Sequence, residues 1–356
     1  MEKNINKRHK SLWKSVMEDL NGQLDNFKYG DRFYTIADIC RKYGVSQITA
    51  VKALSELEQQ GLVQKIRRRG TIVTARKGSG RLWLIIPGVG GVEKSLYRSV
   101  VWMKIYQGLV SQAAKIGFEF CGPISDANLT SLSLSGDKKA GFFVIRNLEP
   151  RIKGFLQEYS LPCVLLHPDI EDADTCMVKV NRKRGGFLAT EHLAGLGHKR
   201  IGLMIGSITS APYLPRFQGY QQALRRAGLK FDWSLVKETS GFDPAEDSYA
   251  LDQILAKPDP PTAFFAANYS RALNLLQYCQ LRKIRVPENL SIAAYDNFPE
   301  MSISQPPLTT IETNLEEVGA TGVNLMAALM RGERLQPEVV VETELVVRAS
   351  ARPLKA

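Results

Sequence analysis

The chain has 356 residues, 44% of them apolar and 23% charged, with a formal net charge of +11. That length suits a small domain plus a larger one rather than a single core. No apolar run approaches the roughly 20 residues that span a bilayer, which sets a membrane-spanning reading aside. The start, Met1-Glu2-Lys3-Asn4, is polar and has no small-residue cleavage site, so no secretory leader is expected and the protein is expected in the cytoplasm. The cysteines Cys40, Cys121, Cys163, Cys176 and Cys279 are scattered without a CxxC pair, and read as reduced core thiols rather than disulfides or a zinc site.

Charge is unevenly spread. Residues 1–80 hold 16 Lys and Arg against 8 acids, a net +8, whereas the rest of the chain carries 31 bases and 28 acids, a net +3. A positive field concentrated on a short segment is the footprint of a polyanion binder. Within that segment Leu12, Trp13, Val16 and Leu20 recur at helical spacing, and Gly22 is expected to stop the helix. Thr35 starts a second helix as N-cap, with Asp38 three residues on completing a capping box. Ile36, Ile39, Cys40 and Tyr43 form its inward stripe, and Gly44 ends it. Ser46 caps a third helix that runs to about Gln60, with Ala50, Ala53, Leu54 and Leu57 facing inward. Its outward face carries Ile48, Lys52 and Ser55, with Gln47 and Thr49 at the N-terminal edge. Two helices joined by a tight glycine turn, the second polar outward, predict helix-turn-helix geometry.

Leu62–Ile66 and Thr71–Thr74 read as a strand pair around Arg67-Arg68-Arg69-Gly70, a basic wing suited to a minor groove or to phosphates. Residues 1–75 are therefore expected to form a winged helix-turn-helix DNA-binding domain. Its DNA contacts are expected from Thr35, Ser46, Gln47, Ile48, Thr49, Lys52, Arg67, Arg68, Arg69 and Gly70. Of these, Gln47, Thr49 and Lys52 are assigned to the major groove, and Ile48 to a thymine methyl.

Over about residues 10–75 the chain resembles the GntR family of bacterial regulators. The resemblance is carried by Gly44-Val45-Ser46, Thr49, Ala53-Leu54, Leu57, Gln60-Gly61-Leu62-Val63 and Arg69-Gly70-Thr71-Ile72-Val73. It also has departures. Phe33-Tyr34-Thr35-Ile36-Ala37 stands where that family usually has Leu-Pro-Ser-x-Arg, and Gln47 and Val51 stand where it favours Arg. Three common DNA-contacting arginines are thus absent, and the Arg67–Arg69 wing is expected to supply the phosphate contact they would make.

Arg76-Lys77-Gly78-Ser79-Gly80-Arg81 reads as a flexible linker over 76–81. Beyond it, Leu82–Ile86, Phe118–Gly122, Gly141–Ile145, Cys163–Leu166, Ile201–Ile205, Ala263–Ala267 and Leu290–Ala294 alternate with helical patterns such as Trp102–Lys115. Short buried strands each followed by a helix predict an α/β fold with doubly wound parallel sheets. Roughly 275 residues exceed one such sheet, so two lobes are expected.

The order of these pieces resembles the ligand-sensing domain of the LacI family, which shares its fold with periplasmic sugar-binding proteins. The motifs include Gly185-Gly186, the run from His192 to Ile201, Arg216-Phe217-Gln218-Gly219-Tyr220, Val286-Pro287-Glu288-Asn289-Leu290-Ser291-Ile292, Tyr295-Asp296-Asn297 and the run from Pro306 to Ile311. The run from Leu345 to Ser350 closes the set. The resemblance implies a ligand-binding domain over 82–356, with lobe one at 82–180 and 312–341 and lobe two at 181–311 and 342–356.

Ligand candidates follow. Arg216 ends a loop (Ser207–Pro215) from which a guanidinium can fork onto two oxygens. Asp296 lies just past a strand end, where ligands of parallel sheets sit. By resemblance, Phe242 matches a ligand-stacking aromatic and Asn268 a ligand-binding asparagine. Tyr97 or Arg98, in the loop Gly88–Arg98, are expected to close the other side of the pocket. Tyr269 and Asn181 stand where that family commonly has Asp.

His192 and His198 have no third ligand nearby and read as structural, so no metal or cofactor is expected. The absence of a Ser/His/Asp set, P-loop, GxGxxG or paired-acid motif argues against an enzyme. The reading is a ligand-responsive, homodimeric transcription regulator, a repressor of carbohydrate-use genes. Its partners are double-stranded operator DNA and a small sugar-like effector. The rival, a transport-type solute-binding protein, accounts for 81–356 and leaves 1–80 without a purpose.

Overall fold

A computed structural model describes residues 2–27, 31–59, 62–66, 69–73, 80–86, 99–132, 140–170, 172–240 and 243–354. By compactness the chain divides into one unit of Met1–Leu166, Asp172–Met177 and Gly319–Pro337, and a second of His167–Glu171, Val178–Val318 and Glu338–Ala356.

The first unit opens with α1 (Glu2–Gln23), α2 (Ile36–Tyr43) and α3 (Gln47–Gln59), followed by β1 (Val63–Ile66) and β2 (Gly70–Val73). Gly22 does not stop α1, contrary to the sequence expectation. The helix continues through it into a 3₁₀ turn at Leu24–Asn26, because Leu20 and Leu24 are both buried and keep the inward stripe going past the glycine. At α2 the capping box forms as read from sequence. The Thr35 hydroxyl accepts from the Asp38 N–H at 3.2 Å, and the Asp38 carboxylate accepts from the Thr35 N–H at 3.0 Å. Gly44 ends α2 at φ +61°, a left-handed turn that glycine adopts without a Cβ clash. Ala50, Ala53, Leu54 and Leu57 are fully buried and pack α3 inward.

β1 and β2 form an antiparallel hairpin with Val63 opposite Val73 and Ile66 opposite Gly70. A third stretch joins it, since the Val73 N–H donates to Asp31 O (3.0 Å) and the Phe33 N–H to Thr71 O (2.8 Å). The hairpin is thereby tied to the segment that leads into α2.

The rest of the first unit contains β3 (Arg81–Ile86), α4 (Val100–Lys115), β4 (Glu119–Ser125), β5 (Ala140–Ile145), α5 (Pro150–Glu158), β6 (Cys163–Leu166) and the start of β7 (Cys176–Val180). Arg81, assigned to the linker from sequence, is already the first residue of β3 and pairs with Glu119 and Ala140. The second unit is built from α6 (Arg182–Gly195), β8 (Ile201–Ile205), α7 (Leu214–Arg226), β9 (Val236–Glu238), α8 (Pro244–Leu255), β10 (Ala263–Ala266), α9 (Tyr269–Leu281), β11 (Ser291–Tyr295), α10 (Pro299–Ile303) and β12 (Thr309–Glu312). The chain then runs through α11 (Leu315–Met330), β13 (Glu338–Val341) and β14 (Glu344–Val346).

Two six-stranded sheets result, in the orders β13-β7-β6-β5-β3-β4 and β14-β12-β11-β10-β8-β9. The neighbours β4, β3, β5 and β6 are parallel, as are β9, β8, β10, β11 and β12, while β14 runs antiparallel to β12. β5, β8, β10 and β11 are buried along their whole length, which is why they read as unbroken apolar runs rather than as alternating ones. The divisions at 177/178, 318/319 and 337/338 differ from the expected 180/181, 311/312 and 341/342. The shift at 318/319 arises because the first turn of α11 stays with the second unit.

Glycines let helices approach backbone to backbone in both units. A Cβ at Gly219 would collide with the carbonyl oxygen of Lys183, and one at Gly186 with that of Arg216, so α6 and α7 are held at a distance that only glycine permits. A Cβ at Gly319 would collide in the same way with Ile105 O, between α11 and α4. His198 takes the structural place expected of it. Its Nε2–H donates to Arg352 O (3.1 Å) and its Nδ1 accepts from the Thr262 hydroxyl (2.8 Å), a tautomer required because a carbonyl only accepts. That bond ties the C-terminal stretch to the second sheet.

Candidate functional site

The first candidate surface is the outward side of α3. Ser46, Gln47 and Lys52 are exposed and Ile48 is 72% exposed, an aliphatic side chain standing free on a helix surface. Val51, 38% exposed, shares that side. Thr49 is a correction. It is 4% exposed, and its hydroxyl lies 3.1 Å from that of Ser46, so it faces the core and the cap rather than a groove. Thr35 is likewise committed, since its hydroxyl serves the α2 cap. On the hairpin, Arg69 is exposed and its N–H donates to Ile66 O (3.0 Å), closing the turn. Gly70 has φ +88° and lies against the Arg32 side chain. Arg32 is an exposed cation that the sequence reading passed over. Its signal was positional, an arginine just ahead of the α2 cap that pairs with Ile72 of the hairpin. Arg67 and Arg68 lie outside the described residues.

The second candidate site lies in the second unit, at the carboxyl ends of β8, β9, β10 and β11. Arg216, in the first turn of α7, is 7% exposed. Its Nη1 donates to Ala267 O, its guanidinium carbon lies 3.7 Å from the Tyr295 ring centroid, and its buried Nε has no partner. The glycine pair builds this arrangement from below. A Cβ at Gly185 would enter the Tyr295 ring, and one at Gly186 would enter the Arg216 backbone. Asp296, 7% exposed, follows the end of β11 at φ +75°, a left-handed conformation that Asp tolerates better than most residues. Burial raises its carboxyl above the usual range, while the Arg216 guanidinium and the Tyr269 N–H pull the other way.

Asn268 holds a narrower place than expected. Its Oδ1 accepts from the Arg271 N–H (3.1 Å) as the N-cap of α9, leaving Nδ2 near Ser270 Oγ (3.0 Å) and the Tyr213 hydroxyl (3.5 Å). Phe242, Tyr97 and Arg98 lie outside the described residues. The structure adds two residues that sequence reasoning missed. Tyr213, whose ring packs over Gly206, stands 5.4 Å from the Arg216 guanidinium and 5.2 Å from that of Arg271. Arg271 is 1% exposed and donates to Thr239 Oγ1 (3.0 Å), Thr239 O and the Tyr213 hydroxyl (3.2 Å).

Among the described residues no group of three or more His, Cys, Asp or Glu is placed to hold a metal. Nor is any helix among them long and apolar enough to cross a membrane.

Residues 190–351 match the periplasmic binding protein-like domain family. Over 196 residues the chain is 35% identical to the HTH-type transcriptional repressor PurR of Pasteurella multocida (strain Pm70), covering 54% of this chain and 58% of that protein. Over 195 residues it is 33% identical to the HTH-type transcriptional regulator DegA of Bacillus subtilis (strain 168), covering 54% and 57%. The chain thus spans less than two thirds of the length of these curated relatives. A solved LacI family transcriptional regulator from Enterococcus faecium with bound ribose superposes with a TM-score of 0.63 at 23% identity, over 77% of this chain and 100% of that one. The two-sheet body is accordingly a periplasmic-binding-protein-like α/β fold, of the kind found in regulators of the LacI type.

Proposed function

We propose that the chain is a ligand-responsive, sequence-specific transcription regulator acting in the cytoplasm as a homodimer, without catalytic activity. It represses carbohydrate-use genes until a small effector releases it. Residues 1–75 read the DNA, and the second unit contributes Arg216, Asn268 and Asp296 to the effector site. The observation that carries the proposal is the pairing, on one chain, of an α3 that exposes Gln47, Ile48 and Lys52 with a periplasmic-binding-protein-like body that gathers buried charge at its strand ends. The β1–β2 hairpin supports a winged-helix form for the reading head. Its GntR attribution rests on the sequence motifs of residues 10–75 alone, and the solved Enterococcus faecium regulator reported above is of the LacI family. A solute-binding transport protein has no use for α1–α3. Effector binding shifts the chain between states of different DNA affinity, which requires that the effector itself prefer one of them.

Selection of the full chain against random duplexes tests this reading. It is expected to enrich two related half-sites spaced by a helical turn or a multiple of it. Lys52→Ala should weaken the selected sequence more than random DNA. Replacing Arg67, Arg68 and Arg69 by alanine should flatten the salt dependence of log K by up to about 0.9 per lost phosphate contact. Enrichment of no sequence would defeat the proposal, and an unchanged salt slope would remove the wing from it.

A further inference from the structure

Arg271 is the largest fully buried side chain among the described residues. Arginine stays protonated at any physiological pH, so its burial places a full charge out of water, which is costly unless an anion accompanies it. Among the described residues no carboxylate lies within ion-pair distance of it, although its charge reaches Glu246. Its acceptors are Thr239 and Tyr213, all neutral. Arg216, whose guanidinium also lies by the Tyr213 ring, is buried as well, makes no ion pair among the described residues, and leaves Nε without a partner.

The carboxylates around the pair are engaged elsewhere. Asp169 meets Arg182 at 3.4 Å, Asp247 takes the Asn274 amide at 2.6 Å, and Glu312 takes the Asn297 amide at 2.8 Å. Glu246 is exposed and bound by Ser240, and the Arg271 charge, acting from beyond ion-pair distance, adds to Ser240 in holding its carboxyl below the usual range. Asp296 remains, buried and in no ion pair with either guanidinium among the described residues; burial raises its carboxyl while the Arg216 guanidinium draws it back. Two guanidinium groups therefore lie beside one tyrosine at the strand ends, neither of them in an ion pair among the described residues.

We propose that the effector is a small organic anion bearing a phosphate or carboxylate group, and that Arg271, together with Arg216, supplies the charge that selects it. This rests on the reading that the second unit binds the effector. Arg271 acts from beneath the site. Three of its five N–H groups hold Thr239 and Tyr213 in place, and its charge acts through a water-poor interior where the field is weakly screened.

Matched probes test it: glucose, glucose 6-phosphate and gluconate, and ribose, ribose 5-phosphate and ribonate, titrated calorimetrically into the full chain. At least one anionic member is expected to bind tenfold or more tightly than its neutral parent, and the phosphate and carboxylate arms show which group is taken. Arg271→Gln, which keeps a hydrogen-bonding side chain and loses the charge, should erase that preference, while Arg271→Lys should keep part of it. Equal or tighter binding of the neutral parents, binding of no anion, or an undiminished preference in folded Arg271→Gln would overturn the proposal. The comparison of parents and anions on the unaltered chain stands even if the variants do not fold. Operator affinity measured on the same samples separates the two readings. An anion that binds and leaves DNA affinity unchanged removes the regulator and leaves the anion site standing.

Discussion

Arg216→Ala is expected to weaken effector binding by about ten- to a hundredfold while operator affinity stays at the level of the parent chain. The magnitude is that of a lost hydrogen bond to a charged group, about 1.5–3 kcal/mol. Arg216 is suited to that role because its Nη1 and the Tyr295 ring fix the guanidinium while Nε stays buried and unsatisfied. Asp296→Asn should lose affinity as well, because the amide cannot reproduce the hydrogen-bonding pattern of the carboxyl group it replaces. Asparagine is the better substitute than alanine, because it tolerates the φ of +75° and nearly keeps the shape of the side chain. Both residues lie in the second unit and outside residues 1–75, so neither substitution should touch DNA. Calorimetry with the effector, beside fluorescence anisotropy with the operator, reads both effects. Unaltered effector affinity in both variants would end the site assignment.

Gly186→Ala should produce a large loss of stability from a single methyl group. The added Cβ would meet backbone atoms of Arg216, which cannot rotate away as a side chain can, so α6 and α7 must separate. Overpacking of this kind costs about 1–3 kcal/mol, occasionally more, and the upper end applies where the obstacle is backbone. For a unit of this size, 3 kcal/mol lowers the melting temperature by roughly 6–12 °C. Gly195→Ala is the control within the same helix. A Cβ there meets nothing within 4 Å, so its effect should be near zero or mildly stabilising. A Gly186→Ala protein that melts with the parent would show that α6 and α7 are not packed as described. If it folds, its first α7 turn is displaced, and effector affinity should fall with it.

Much of the fold was legible because burial on both faces leaves a simple mark. β6 at Cys163–Leu166 and β8 at Ile201–Ile205 fall on the residues read from their apolar runs. The α2 cap was equally readable, since Thr35 and Asp38 meet within one turn. Gly22 misled because the glycine cost inside a helix is about 1 kcal/mol, less than the burial of Leu20 and Leu24 on either side returns. Thr49 misled because its polar type suggested an outward face, when it follows Ala53 and Leu57 around the buried side of α3.

The site was half legible. Arg216 and Asp296 stand at loop and strand-end positions that a parallel sheet marks in advance. Arg271 was invisible, because a charged residue in the first turn of a helix looks solvated until the partners are known. Those partners, Thr239 and Tyr213, lie 32 and 58 residues away. The functions of Gly185 and Gly186 were equally non-local, since each makes room for a group on another element.

The central claim is that one chain couples an effector site to a DNA-reading head, and the direct measurement is reciprocal linkage. Operator affinity is titrated with and without saturating effector, and effector affinity with and without saturating operator. The account predicts that each changes by the same factor, between about 5 and 150, because a coupling free energy is shared by both sites. Operator affinity that does not move at saturating effector would contradict it.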